Sequence, residues 1–220
     1  MQNKFWTLRI AVAMAALYYG SIAQAEHAVV IAPTLAGHVP VKSWKTLRDK
    51  QVIKQDKDFS CGAASLATIL KEFYGVPVTE QDLLLALDNG EMRSSFEDMQ
   101  RIMPQFGFRA HGYAATYEQL ARLKIPVIVY LKHRKDEHFS VLRGISEDTV
   151  WLADPSLGNR TYSKAQFLEI WETRGNSNLK GKFLAVLPEG PSFIREHIFF
   201  TRTPKRQTAQ AIRQLVLRPQ

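Results

Sequence analysis

A single cysteine, Cys61, among 220 residues is the feature that narrows this chain most. One thiol can form neither an internal disulfide nor a thiolate zinc cluster, so the fold must rest on an ordinary hydrophobic core. A composition of 45% hydrophobic and 23% charged residues suits that demand. Cys61 opens the stretch Cys61-Gly62-Ala63-Ala64-Ser65-Leu66, after which Ile69, Leu70 and Phe73 continue the helical spacing of Leu66 up to Tyr74, with Gly75 and Pro77 as stop signals. The pattern predicts a buried helix from Cys61 to Tyr74 with the sulfur at its N-terminus, where free N–H groups and the macrodipole favour thiolate. A free cysteine is also at home as a small buried hydrophobe. The cysteine by itself leaves both readings open.

The flanking sequence divides the chain. Residues 1–25 carry Lys4 and Arg9, then an apolar run from Ile10 to Tyr19, then Ala23-Gln24-Ala25, the small-x-small pattern of a secretory cleavage site. The run falls short of the roughly 20 residues a membrane-spanning helix needs, so a cleaved signal peptide and a periplasmic mature chain are expected. Residues 26–50, with Pro33 and Pro40, read as an extended lead-in supplying one edge strand or a short helix. Residues 51–190 read as one compact domain and residues 191–220 as a basic tail. Within the domain the helical patterns come first. They are the Cys61 helix, one behind the capping-box pattern Thr79-Glu80-Gln81-Asp82, one starting near Ser95 that Pro104 should kink or end, and one from Tyr117 to Leu123. Strand patterns follow at Ile125–Leu131, His138–Ile145, Thr149–Ala153 and Lys182–Leu187, with a helical segment from Ser163 to Glu172. Helices first and a mainly antiparallel sheet after them predict an α+β domain whose helices pack on one side of the sheet.

If Cys61 is a nucleophile it needs a proton acceptor, and that acceptor needs an orienting group. His138 opens one predicted strand and Asp154 ends the next. A hairpin turn between Ile145 and Thr149 would bring both to the same end of the ribbon, where the carboxylate would fix the imidazole tautomer. His133 and His138 could suggest a metal pair, but the charged residues between them suit a solvated loop and no third ligand is evident; neither a metal nor a cofactor is expected.

The separated motifs, Gln55 six positions before Cys61-Gly62, a small-residue helix ending in Tyr74-Gly75, His138-Phe139-x-Val141-Leu142, and Asp154-Pro155-Ser156-x-Gly158, resemble the bacteriocin-processing cysteine peptidases that remove leader peptides after a double glycine. The resemblance runs from about Gln55 to Phe183. It implies a papain-like α+β fold, Cys61 as nucleophile, His138 as general base and acid, Asp154 as its orienting carboxylate, and Gln55 as the side-chain donor of an oxyanion hole beside the Cys61 N–H. Many members are domains of ATP-driven exporters. This chain, with its apparent signal sequence and no nucleotide-binding motif, is similar in size and layout to the stand-alone exported members found with functional-amyloid secretion systems. The resemblance implies a secreted polypeptide substrate, amyloid-forming or carrying a Gly-Gly leader.

Charge refines the choice of partner. The net charge is +8, of which residues 1–25 hold +2, residues 26–190 only +1, and residues 191–220 hold +5. A nearly neutral body gives no reason to expect nucleic acid. The basic tail, in which Ala209–Arg218 has the spacing of a short amphipathic helix, would suit docking to a secretion-system partner or to a membrane surface. Two other functions use the same residues: a binding or chaperone module without turnover, and a different thiol acyl transfer.

Overall fold

The computed structural model describes residues 27–32, 35–40, 42–88, 90, 93–133, 136–175, 178–190 and 198–206. The expected signal sequence and the Ala209–Arg218 segment lie outside them. The chain divides into two compact units, residues 1–47 and 48–220. The first holds an antiparallel hairpin of β1 (His27–Ala32) and β2 (Leu35–Pro40), with His27 opposite Pro40. Where the lead-in was read as one edge strand or a short helix, it supplies two paired strands and then α1 (Trp44–Arg48) at its end.

The second unit begins with its helical half. The predicted Cys61 helix forms as α2 (Cys61–Thr68) and then widens into a π-helical turn over Ile69–Phe73. Gly75 ends it in the left-handed region at φ 73°. Helix α3 (Glu80–Leu87) is capped reciprocally by Thr79 and Asp82, and α4 (Phe96–Ile102) in the same way by Ser95 and Asp98. Pro104 then turns the chain into a short 3-10 segment, Met103–Phe106.

The sheet half has six strands, all paired antiparallel, in the order β3-β8-β4-β5-β6-β7. Four match predicted strands: β4 (Val127–His133), β5 (Asp136–Ile145), β6 (Thr149–Asp154) and β8 (Gly181–Pro188). The edge strands β3 (Phe108–Ala115) and β7 (Gly158–Ser163) went unpredicted. Their sequences, FRAHGYAA and GNRTYS, lack the β-branched apolar run that marked the central strands.

Helices cover both faces of the sheet, not one. Leu66, Leu70, Leu83, Met99 and Ile102 pack with Phe108, Ile128, Val141 and Leu184 on one side. On the other, α5 (Tyr117–Leu120) and α6 (Lys164–Trp171) pack Leu120, Phe167 and Trp171 against Val127, Val129, Leu142 and Leu152. The continuous apolar run Val127-Ile128-Val129 is the sequence mark of a strand buried on both faces.

Residues 198–206 return to the domain. Phe199 is fully buried in the core under the Cys61 helix, and Thr201 forms a parallel bridge with Gly144. Strand β4 reaches only as far as Leu142 of β5, so the next residues of β5 would lack partners on that side. Thr201 supplies them: its N–H donates to the Arg143 carbonyl, and its carbonyl accepts from Ile145 N–H.

Candidate active site

Cys61 sits at the first position of α2 with 3% of its surface exposed. The Ser60 hydroxyl, the natural cap, is turned back onto the Lys57 carbonyl and makes no cap bond. The first-turn N–H groups of the helix are thus left without a side-chain cap. Ser65, one turn on, donates to the Phe139 carbonyl and so ties this helix to β5 beside His138.

The placement of Asp154 depends on a break in the ladder between β5 and β6. Ile145 pairs with Val150 and Gly144 with Trp151, but Leu142 pairs with Leu152 and Val141 with Ala153, so Arg143 is an extra residue in a bulge. Continuing the shifted register sets Asp154 opposite Ser140, on the face that His138 shares. The unshifted register would have set Asp154 opposite Val141, on the other face. Arg143 is buried between the rings of Trp151 and Phe199, with its guanidinium carbon 4.3 and 4.4 Å from their centroids. It donates to the carbonyls of Phe199 and Lys50 and to the side-chain oxygens of Asn159 and Gln51. Burial lowers its pKa to about 10, which leaves it cationic at neutral pH.

His138 Nε2 lies 2.9 Å from Asp154 Oδ2. Asp154, 2% exposed, also accepts on Oδ1 from the backbone N–H groups of Ser156 and Leu157, at 2.9 and 2.8 Å. With Nε2 committed to the carboxylate, Nδ1 is the imidazole atom left for the thiol. Burial alone would push the Cys61 thiol up and the His138 imidazole down. Their mutual hydrogen bond and charge reverse both effects, helped by the Phe139 N–H at the sulfur and by Asp154 at the imidazole. The thiol falls below its ordinary 9.0 and the imidazole rises to about 9, so each group favours the charged form of the other. Asp154 is likewise held below the usual carboxylate range: burial opposes ionisation, but His138 and the two N–H donors outweigh it. Arg93, to which sequence reasoning gave no role, adds positive charge near the sulfur and donates to the Glu137 carbonyl at 2.8 Å.

Gln55 stands in the loop before the helix, held at three points. Its N–H donates to the Pro155 carbonyl at 3.1 Å, its Nε2 to the Lys57 carbonyl at 2.9 Å, and its Oε1 accepts from the Ser156 hydroxyl at 2.6 Å. The loop is fixed further by buried Glu80, which accepts from Asp56 N–H. Gln55, His138 and Asp154 line one cleft of about 690 Å³, and Cys61 lines an adjoining one of about 420 Å³. Arg93 and Glu137 stand in the walls of both. His133, the other histidine considered for a metal pair, is also on the wall of the larger cleft, and among the described residues no group of three potential metal ligands occurs.

Residues 49–175 match the Peptidase C39 family. The chain belongs to that family. It is 38% identical over 138 residues to a probable functional amyloid protease FapD of Pseudomonas aeruginosa, covering 60% of this chain and 61% of the relative, so the chain spans less than two thirds of that protein. It is 36% identical over 164 residues to the Pseudomonas fluorescens protein of the same description, covering 70% of this chain and 69% of the relative. The crystal structure of a double glycine motif protease from an AMS/PCAT transporter, in complex with the leader peptide, superposes with a TM-score of 0.53 at 25% identity, over 62% of this chain and 90% of that one. The peptidase domain of Streptococcus ComA, at 21% identity and a TM-score of 0.54 over 62% of this chain and 97% of its own, shares the fold. Family and fold agree on a papain-like α+β domain of the Peptidase C39 family, and the Pseudomonas relatives are described as probable proteases.

Proposed function

We propose that this chain is an exported peptidase that cleaves a secreted polypeptide through Cys61, His138, Asp154 and Gln55. The observation that carries the reading is the hydrogen-bonded Cys61 and His138, with the imidazole's far nitrogen held 2.9 Å from a buried carboxylate. The thiolate attacks the scissile carbonyl carbon, and the carbonyl π electrons move onto oxygen, where the Cys61 N–H and the Gln55 amide stabilise the oxyanion. As the oxyanion collapses to a thioester, the C–N bond breaks and His138 gives its proton to the leaving amine. Water, deprotonated by the now neutral His138, then hydrolyses the thioester and returns the thiolate–imidazolium pair.

The apolar segment and the small-x-small site of residues 1–25 support export to the periplasm. The FapD relatives support a substrate belonging to a functional-amyloid secretion system, and the double glycine protease structure supports a Gly-Gly leader as the recognition element. The basic residues 191–220 would then face a secretion partner. The test is to incubate the mature protein with the secreted polypeptides encoded beside it and to read the products by mass spectrometry. A new terminus that disappears with Cys61→Ala supports the peptidase. An acyl-transfer product, or a complex with no cleavage, would overturn it in favour of another thiol chemistry or of a binding module.

A further inference from the structure

We propose that Ser156 is a positioning residue that locks the Gln55 amide in its oxyanion-binding orientation, so that the turn carrying the His138-orienting carboxylate also sets the oxyanion hole. The inference rests on the peptidase reading and assigns a role to a residue that this reading leaves unused.

A glutamine side chain has one acceptor oxygen and two amide hydrogens, and three rotatable bonds lie between its amide and the backbone. Left alone in a solvent-facing cleft, such an amide would rotate and exchange its ends. Here the oxygen accepts from the Ser156 hydroxyl at 2.6 Å, and one amide hydrogen goes to the Lys57 carbonyl at 2.9 Å. With both of those fixed, the amide plane is fixed, and the second Nε2 hydrogen has one direction. The latch itself cannot drift. Ser156 N–H is bound to Asp154 Oδ1 at 2.9 Å, and the carbonyl of the intervening Pro155 accepts from Gln55 N–H at 3.1 Å. Backbone and side-chain bonds thus join the two loops at the cleft wall, where Gln55, Asp154 and Ser156 all lie. Preorganised donors are worth most when they need not reorient as charge develops, and a fixed amide meets that condition.

Removing the hydroxyl leaves the backbone bonds of Ser156 intact and frees only the amide. The expected loss is that of one ordinary hydrogen bond, about 3- to 10-fold in kcat with KM little changed, against about 10²–10³ for removing the Gln55 donor itself. Two probes separate the possible routes. Iodoacetamide alkylates Cys61 by displacement of iodide without forming an oxyanion, so it reports the thiolate and its partner His138. The aldehyde acetyl-glycyl-glycinal adds the Cys61 sulfur to its carbonyl carbon as a tetrahedral hemithioacetal, so its affinity reports the oxyanion hole.

The experiment measures both probes in the wild type, Ser156→Ala, Ser156→Thr, Gln55→Ala and the double variant Ser156→Ala/Gln55→Ala. Ser156→Ala is expected to weaken the aldehyde several-fold while the rate and pH profile of alkylation stay put. Ser156→Thr, which keeps the hydroxyl, should restore the affinity, and Ser156→Ala should cost nothing further once Gln55 is gone. Unchanged aldehyde affinity in Ser156→Ala, or a full additive loss in the double variant, overturns the latch while leaving the peptidase reading in place. A shifted alkylation profile in Ser156→Ala overturns it in favour of an effect through Asp154. A wild type that is alkylated at Cys61 but has no affinity for the aldehyde removes the oxyanion hole, and the latch with it. A wild type in which Cys61 resists iodoacetamide sinks the peptidase reading itself.

Discussion

At the scale of single residues, the proposed reactive centre is two groups that each favour the other's charged form. His138 is raised from its ordinary 6.5 to about 9 against the opposing effect of burial, because Asp154 and Cys61 both favour the imidazolium. The sign follows directly. The stability contributed by charging His138 is fully present below pH 6.5 and is lost as the pH rises through about 9. Leaving-group protonation needs the same imidazolium, so kcat/KM for peptide cleavage should fall on the alkaline side near pH 9. Asp154→Asn removes the first of the raising partners, and the alkaline limb should then move down toward 6.5. A limb that stays in place in the variant would mean that Asp154 does not tune His138. The three titrating residues were legible as types and spacings, because a thiol at a helix start and a His and an Asp at strand ends are sequence-local features. Ser156 was legible only as part of Asp154-Pro155-Ser156, since its partner Gln55 lies 101 positions away.

At the scale of elements, the decisive device is the bulge at Arg143. From sequence, His138-Phe139-Ser140-Val141-Leu142 and Trp151-Leu152-Ala153-Asp154 read as a plain hairpin, with His138 seven positions before the turn and Asp154 about five after it, near the same end of the ribbon. A plain hairpin would have turned Asp154 to the opposite face, and the extra residue corrects it. Nothing local marks that residue. What holds it is Phe199, Lys50, Gln51 and Asn159, all distant in sequence. Arg143→Ala strands those acceptors in a buried setting and should cost about 2–4 kcal/mol in urea unfolding. It should also slow iodoacetamide alkylation of Cys61 at neutral pH as the His138–Asp154 register loosens. Loss of stability with an unaltered alkylation rate would mean that the bulge is held without the guanidinium. The edge strands β3 and β7 escaped prediction for a related reason: their identity comes from the strands they pair with, not from their own polar and small residues.

At the scale of the whole molecule, the helical half brings the sulfur and the sheet half brings the imidazole, and the chain closes the join with a segment that composition marked as tail. The domain reading from residue 51 to 190 ended near the last strand, but residues 198–206 complete the exposed side of β5 and bury Phe199. The run Ile198-Phe199-Phe200, set between basic residues, is too short to give a periodic signal, which is why the return could not be read from pattern. Phe199→Ala should destabilise the domain by about 3–5 kcal/mol, as deep aromatic truncations do, and a urea midpoint unchanged from wild type would contradict that packing. The net charge of +8 divides accordingly, with a body of residues 26–190 near neutrality and the excess at the ends. Whether the two halves meet as a reacting pair is tested most directly by the pH dependence of Cys61 alkylation by iodoacetamide in the wild type and in His138→Ala. The account predicts a wild-type acid limb below 9.0, moving up toward or beyond 9.0 once the imidazole is removed. Coincident profiles for the two proteins, with the wild-type limb already at or above 9.0, would contradict it.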